Sequence, residues 1–256
     1  MNDWKWTVEK YIAEERRIRP EYVWTIVCWS YVTWNSSSHS DIDLHIILDK
    51  SCTRRERWNT VVNWLMIEYF ANPPQQHSQY FKQDYTNRRS VNAHMFKTWV
   101  IFEDKKWYVE EIKQEAIDRH TKQFKWIALE LLEIKKYGLR DEFDNLTQMK
   151  KNNDLWVQYA YFHLLQSILE YYSAYHKFPK IQPHKIHRFL TNEYDKKKYL
   201  IPDFPDETFC SLLLEAFVWK SNDENIELWW NLVKYVLDNT WWFSIDWWSI
   251  KTDVSI

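Results

Sequence analysis

The sequence predicts an α+β fold in two parts: a mixed β-sheet flanked by helices over residues 1–123, and an antiparallel helical bundle over 124–256. Short, largely apolar runs at 22–28, 42–48 and 65–70 have the length of strands and are bounded by turn-forming residues. Helical periodicity separates the later runs and takes over completely beyond residue 124. With 256 residues, 45% hydrophobic and 27% charged, the chain can bury a sizeable core, which excludes fibrous, collagen-like and disordered classes.

In chain order, Trp4, Val8, Tyr11 and Ile12 recur at helical spacing, so 3–17 reads as an opening helix that ends before Pro20. Tyr22 to Cys28, Ile42 to Leu48 and Leu65 to Phe70 are three strands, the last stopped by Asn72, Pro73 and Pro74. Gln75 to about Phe96 reads as one amphipathic helix, Val100 to Phe102 as a fourth strand, and Tyr108 to Phe124 as a further helix. In the second half, Ile127, Leu131 and Ile134 form one apolar stripe, and Leu155, Tyr159, Phe162, Leu165, Ile168 and Leu169 another. Leu212 to Phe217 and Ile226 to Leu237 follow, separated by loops around Pro179, Pro183, Pro202 and Pro205.

Charge narrows the function. Thirty-four basic against 36 acidic residues leave a net −2, with no global field toward nucleic acid or anionic lipid. The basic runs Arg54, Arg55, Arg57 and Lys196, Lys197, Lys198 are short, flanked by acids, and read as solvated faces. Cys28, Cys52 and Cys210 are odd in number and lack CxxC spacing, which argues against a disulfide framework or zinc site and fits a cytoplasmic protein. No signal-like or membrane-spanning apolar run is present, so no membrane partner is expected.

The chemistry concentrates in CWSYVTWNSSSHSDIDLHIIL, residues 28–48: a strand end, a small polar turn, then acids alternating with apolar residues. On a strand, Asp41 and Asp43 share one face while Ile42 and Leu44 turn to the core. Adjacent carboxylates repel one another unless a cation bridges them, and hard oxygen ligands of this kind suit Mg²⁺, which also binds substrate phosphates. Glu68, in LMIEYF, can complete a three-carboxylate site if its strand lies beside that of Asp41.

This segment resembles the signature of the nucleotidyltransferase superfamily, as in the kanamycin and lincosamide nucleotidyltransferases: glycine and serine, a turn, then Asp, apolar, Asp, apolar. Ser30, Asp41 and Asp43 match it; Glu68 matches the third carboxylate, and TWVIFEDKKW at 98–107 resembles the following strand and turn. The resemblance covers roughly residues 20–120. It implies Mg²⁺-dependent transfer of a nucleoside monophosphate from a nucleoside triphosphate, ATP above all, to a hydroxylated small-molecule acceptor, with an antibiotic among the candidates. Asp41 and Asp43 would hold the metal and, with Glu68, form the catalytic set; position 29 (here Trp29), Ser30 and Ser40 would contact nucleotide. The helical half would shape the acceptor pocket at an interdomain cleft and could supply a base, and relatives suggest a homodimer. The rival reading is a regulatory or antitoxin-like module that keeps the fold to bind a partner.

The departures follow one pattern. Average usage predicts about 18 glycines in a chain of this length, yet Gly138 is the single glycine against 18 tryptophans. Trp29, Trp34, Trp99 and Trp107 stand where the family's motif carries glycine, at turns whose backbone takes positive φ or approaches a phosphate closely. The chain therefore reads as one in which tryptophan replaces glycine, and the expected function is that of the parent sequence. The remaining candidates have plainer readings. Ser36, Ser37 and Ser38 read as turn formers, His39 and His45 as structural or solvent-facing rather than catalytic, and His184 with His187 lacks a third metal ligand. The aromatic stripe Trp156, Tyr159, Phe162 with Tyr171, Tyr172 and Tyr175 reads as core, with an acceptor-binding wall as the alternative.

Overall fold

The computed structural model describes residues 4–19, 22–28, 31, 40–103, 108–240 and 243–251. The chain forms two compact units, Met1–Lys122 and Gln123–Ile256.

In the first unit, helix α1 (Trp4–Ile18) is followed by strands β1 (Tyr22–Cys28), β2 (Ile42–Leu48), β3 (Glu56–Val62) and β4 (Leu65–Asn72). Helices α2 (Pro74–Thr86) and α3 (Val91–Lys97), strand β5 (Val100–Glu103) and helix α4 (Tyr108–Thr121) complete it. The five strands lie in the order β3-β4-β2-β1-β5; β2 and β4 run parallel and the other neighbours antiparallel, so the sheet is mixed. Strand β2 is central and buried along its whole length. Ile42, Leu44 and Ile46 on one face pack with Ile67, Tyr69 and the α1 residues Val8 and Ile12. On the opposite face Ile47 packs with Phe81, Phe96, Trp99, Val109 and Ile112 from the α2 to α4 side. The period-two alternation of strand side chains makes this division, and the two apolar layers hold the sheet between helices.

The structure adds a strand that the apolar runs do not signal. β3 alternates half-buried and exposed residues along its length and pairs with β4 through a two-residue turn, Asn63–Trp64. Both turn residues have positive φ, 49° and 67°, the backbone of a type I′ hairpin turn, for which Asn-Gly is the preferred sequence. Trp64 occupies the glycine position and projects 93% exposed. Trp99, by contrast, has no positive φ; its indole is buried 4.5 Å from the Phe96 ring centroid. Trp29, Trp34 and Trp107 lie outside the described residues. The helix expected over 75–96 is two helices, because the chain turns at Asn87–Ser90, where Arg88 takes a positive φ of 52° and Asp84 accepts the backbone N–H of Asn92 at 2.6 Å.

The second unit is helical, with α5 (Leu129–Lys151), α6 (Val157–Tyr175), α7 (Ile186–Thr191), α8 (Glu193–Tyr199), α9 (Glu207–Ala216) and α10 (Asn222–Asn239). Trp229, Tyr161, Leu165 and Phe209 are among its fully buried side chains. Two expected stripes shift. On α5 the buried line is Leu132, Lys136, Leu139 and Leu146, leaving Leu131 and Ile134 exposed; Lys136 is accommodated because Glu133 pairs with its ammonium at 2.9 Å. On α6 the inward face carries Val157, Tyr161, Leu164 and Ile168. Leu155 precedes the helix and Trp156 and Tyr159 point outward, so these three are exposed rather than core. The α9 and α10 N-termini are closed by Asp206 and Ser221, whose side chains accept the backbone N–H groups of Phe209 and Glu224. Among the described residues, no helix is long and apolar enough to cross a membrane.

Candidate functional site

The site grows from the alternation of β2. Ile42 and Leu44 enter the core, so Asp41, just before the strand, and Asp43 within it emerge on the opposite face. Parallel pairing of β2 with β4 makes Glu68 the register partner of Asp43. The carboxylates of Asp41, Asp43 and Glu68 thereby converge, with one oxygen from each lying within 4.8 Å of the others. Asp43 is 6% exposed. Burial, then the charges of Asp41 and Glu68, push its pKa up to about 7, against a smaller lowering by Arg57.

Arg57 is the group that sequence reasoning missed. Read as part of a solvated basic run, it lies on β3 opposite Phe70, where its guanidinium pairs with Glu68 and sits 4.8 Å from the Phe70 ring centroid. The signal was recoverable only with β3 in hand, since a strand's alternation puts Arg55 and Arg57 on one face. Arg54 turns elsewhere, pairing with Glu56 at 2.8 Å.

Further along the same face, His45 stacks on Phe70 at 4.8 Å and meets the edge of Phe96 at 5.3 Å. His77 of α2 lies 4.5 Å from Phe96. Burial pushes the pKa of both histidines down to about 3, and for His77 the neighbouring His45 adds to the lowering. Both are therefore neutral at physiological pH. Ser40 precedes Asp41, and its carbonyl accepts a hydrogen bond from the Tyr31 hydroxyl at 3.3 Å. Trp29 and Ser30 lie outside the described residues. His184 and His187 are not among the metal-competent clusters of the described residues; the one such cluster is Asp41, Asp43 and Glu68.

Chemically, three converging carboxylates with one nearby guanidinium form a site short of positive charge, built from the hard oxygen donors that hold a divalent cation. No protein-family model matches the chain, and no curated protein matches it. Among solved structures the chain is similar to a nucleotidyltransferase-like protein from Exiguobacterium sibiricum 255-15, with 13% identity over 90% of this chain and 73% of that one and a TM-score of 0.44. A likeness that distant assigns no activity.

Proposed function

We propose that the protein is a Mg²⁺-dependent nucleotidyltransferase that moves a nucleoside monophosphate from a nucleoside triphosphate, ATP above all, to a hydroxyl of a small-molecule acceptor. The observation that carries the reading is the convergence of Asp41, Asp43 and Glu68, with carboxylate oxygens within 4.8 Å of one another, on a central strand and its parallel neighbour. The acceptor oxygen forms a bond to the α-phosphorus, the bond from that phosphorus to the bridging oxygen of the β-phosphate breaks, and pyrophosphate leaves with the electron pair.

The donor set fits the metal: Asp41 and Asp43 offer carboxylate ligands with Glu68 beside them, and burial, then the neighbouring carboxylates, raise the pKa of Asp43. Asp41 and Asp43 would hold the ion, which when bound neutralises phosphate charge and acts as a Lewis acid toward the triphosphate. Glu68 accepts the proton of the acceptor hydroxyl, and the Arg57 guanidinium keeps Glu68 oriented before substrate arrives. Ser30 and Ser40, in the polar segment between β1 and β2, contact the nucleotide. Antibiotics remain one class of acceptor to be screened.

The test is pyrophosphate release from mixed nucleoside triphosphates with Mg²⁺ and a panel of hydroxylated acceptors. It uses the protein itself and a variant with Trp29→Gly and Trp34→Gly, which restores glycine at the two positions where the resembled motif carries it. Acceptor-dependent release is expected in the glycine variant, and Asp43→Asn should lower it about a hundredfold or more, the value of several kcal/mol of charge stabilisation. A folded glycine variant that binds no metal nucleotide, and in which Asp43→Asn changes nothing, would overturn the reading in favour of a binding module.

A further inference from the structure

The first unit contains a cavity of about 560 Å³ that runs from Asp43 and Glu68 along the β2–β4 face to α2 and α3. Its size falls in the range that encloses an organic ligand and exceeds what a hydrated ion needs. Arg55 and Arg57 stand at its exposed rim, while His45, His77, Asn72 and Phe96 are among its buried lining. His45 and His77 are 4% and 1% exposed, and among the described residues their four ring nitrogens have no hydrogen-bond partner. A neutral imidazole carries one donor and one acceptor, and leaving such groups unpaired in an interior costs about 1–3 kcal/mol each. Buried polar groups ordinarily have partners, so this aromatic floor lacks something that brings hydroxyl or amide groups to it.

The charges along the cavity restrict what that is. Its carboxylates are Asp43, Glu56 and Glu68. Asp43 and Glu68 belong to the metal-competent cluster, and Glu56 is tied to Arg19 at 3.3 Å and Arg54 at 2.8 Å. Once a divalent ion has taken up the charge of the Asp41–Asp43–Glu68 cluster, a polycation entering past the Arg55 and Arg57 guanidiniums would find no spare carboxylate to replace its lost water. A flat ring meets Phe70, Tyr80 and Phe96 instead.

Resting on the nucleotidyl-transfer reading for the chemistry at one end, we propose that this cavity is the acceptor subsite and takes a flat ring compound, neutral or anionic. One hydroxyl of that compound reaches the Asp43–Glu68 end, and its other polar group pairs with the His45 and His77 imidazoles. Amino sugars carrying several positive charges are thereby disfavoured.

Nitrogen NMR of the histidine side chains in the full chain, with Mg²⁺ present, tests this with three probes: 4-hydroxybenzamide, 4-hydroxybenzoate and the polycationic amino sugar kanamycin. The two ring compounds should shift the ring nitrogens of His45 and His77, and kanamycin should not. His77→Phe, which keeps a ring in place and removes both nitrogens, should weaken 4-hydroxybenzamide binding about fivefold or more, the loss of one modest hydrogen bond. The inference is overturned if neither ring compound moves the two histidines, if kanamycin does, or if folded His77→Phe binds as tightly as the parent. The wild-type titration stands even if the variant fails to fold. The two readings also separate. Histidine shifts in a glycine variant that never releases pyrophosphate sink the transfer chemistry and leave the ring-binding site standing. Transfer to kanamycin with silent histidines sinks the acceptor inference and leaves the chemistry intact.

Discussion

Two aspartates, one in each unit, differ in what their folds place around the carboxylate. Asp206 caps α9 and is surrounded by donors: the Tyr172 hydroxyl at 2.6 Å, the Tyr235 hydroxyl at 3.0 Å and the Phe209 backbone N–H at 2.9 Å. Burial alone would raise its pKa, but the bonds from Tyr172, Phe209 and Tyr235 outweigh it and hold the carboxyl below its ordinary value. Asp43 is the more buried and has the opposite company, two carboxylates and one guanidinium at a distance, so its pKa is raised. The fold supplies the Asp206 carboxylate with its own donors, whereas it places the Asp43 carboxylate beside two others, the arrangement on which the proposed function rests.

The largest expected effect sets the two positions against each other. Asp206→Ala removes a cap and two charge-assisted hydrogen bonds and should destabilise the protein by about 3 kcal/mol in urea unfolding. Asp43→Asn, in metal-free buffer at pH 8, should stabilise it by on the order of 2 kcal/mol because it removes a buried charge among like charges. Shifts of the same sign would dissolve the distinction.

The next effect is in pH. Asp43 has its pKa raised from 3.8 to about 7, so the folded protein holds a proton that the unfolded chain has released. Its contribution is complete below about pH 4 and is lost as pH rises toward 7. His45 and His77 act in the other sense: with folded values lowered from 6.5 to about 3, their contribution is present above pH 6.5 and lost on acidification. Stability measured from pH 4 to 6.5 should therefore rise more steeply in Asp43→Asn than in the parent, by about 1.4 kcal/mol per pH unit. Equal slopes would show that Asp43 ionises normally. Asp206, with its lowered value, adds stability that is lost only as pH falls below 3.8.

Mg²⁺ offers a third comparison. At ten times its dissociation constant it should stabilise the parent by about 1.4 kcal/mol, read as a rise in Tm at pH 8, and should do nothing for Asp43→Asn. The smallest effect serves as a control. Trp64→Gly relieves a side chain held at φ 67° and should stabilise by about 1 kcal/mol. That gain should add to the effect of Asp43→Asn, since among the described residues no hydrogen bond or ion pair links the turn to Asp43; a destabilising Trp64→Gly would argue that the indole packs usefully at this turn.

Much of this arrangement was legible in the amino-acid order, for identifiable reasons. The acids at 41 and 43 interleave with Ile42 and Leu44, a pattern that only a strand separates cleanly, and β1, β2 and β5 are dense enough in apolar residues to announce themselves. Strand β3 was not legible, because Arg57, Asn59 and their neighbours make one of its faces polar and the Asn-Gly signal that would have marked its hairpin reads Asn63–Trp64. Losing β3 hid Arg57, and with it the ion pair to Glu68. His77 was hidden differently: it comes from α2 and meets Phe96 of α3 only in three dimensions. On α5 and α6 the apolar residues admit two helical phases, and Lys136, buried against expectation, shows that composition alone cannot choose between them.

The Arg57–Glu68 pair also bears on ion selectivity. With Asp43 ionised, the carboxylates of Asp41, Asp43 and Glu68 set against the guanidinium of Arg57 leave the cluster two charges negative. A divalent ion brings the cluster to neutrality, a monovalent ion leaves it short and a trivalent ion overshoots. On the proposed reading, the guanidinium is a permanent counterweight that would match the valence of the pocket to a divalent ion. Substituting Arg57 with a neutral residue should shift the preference toward ions of higher charge.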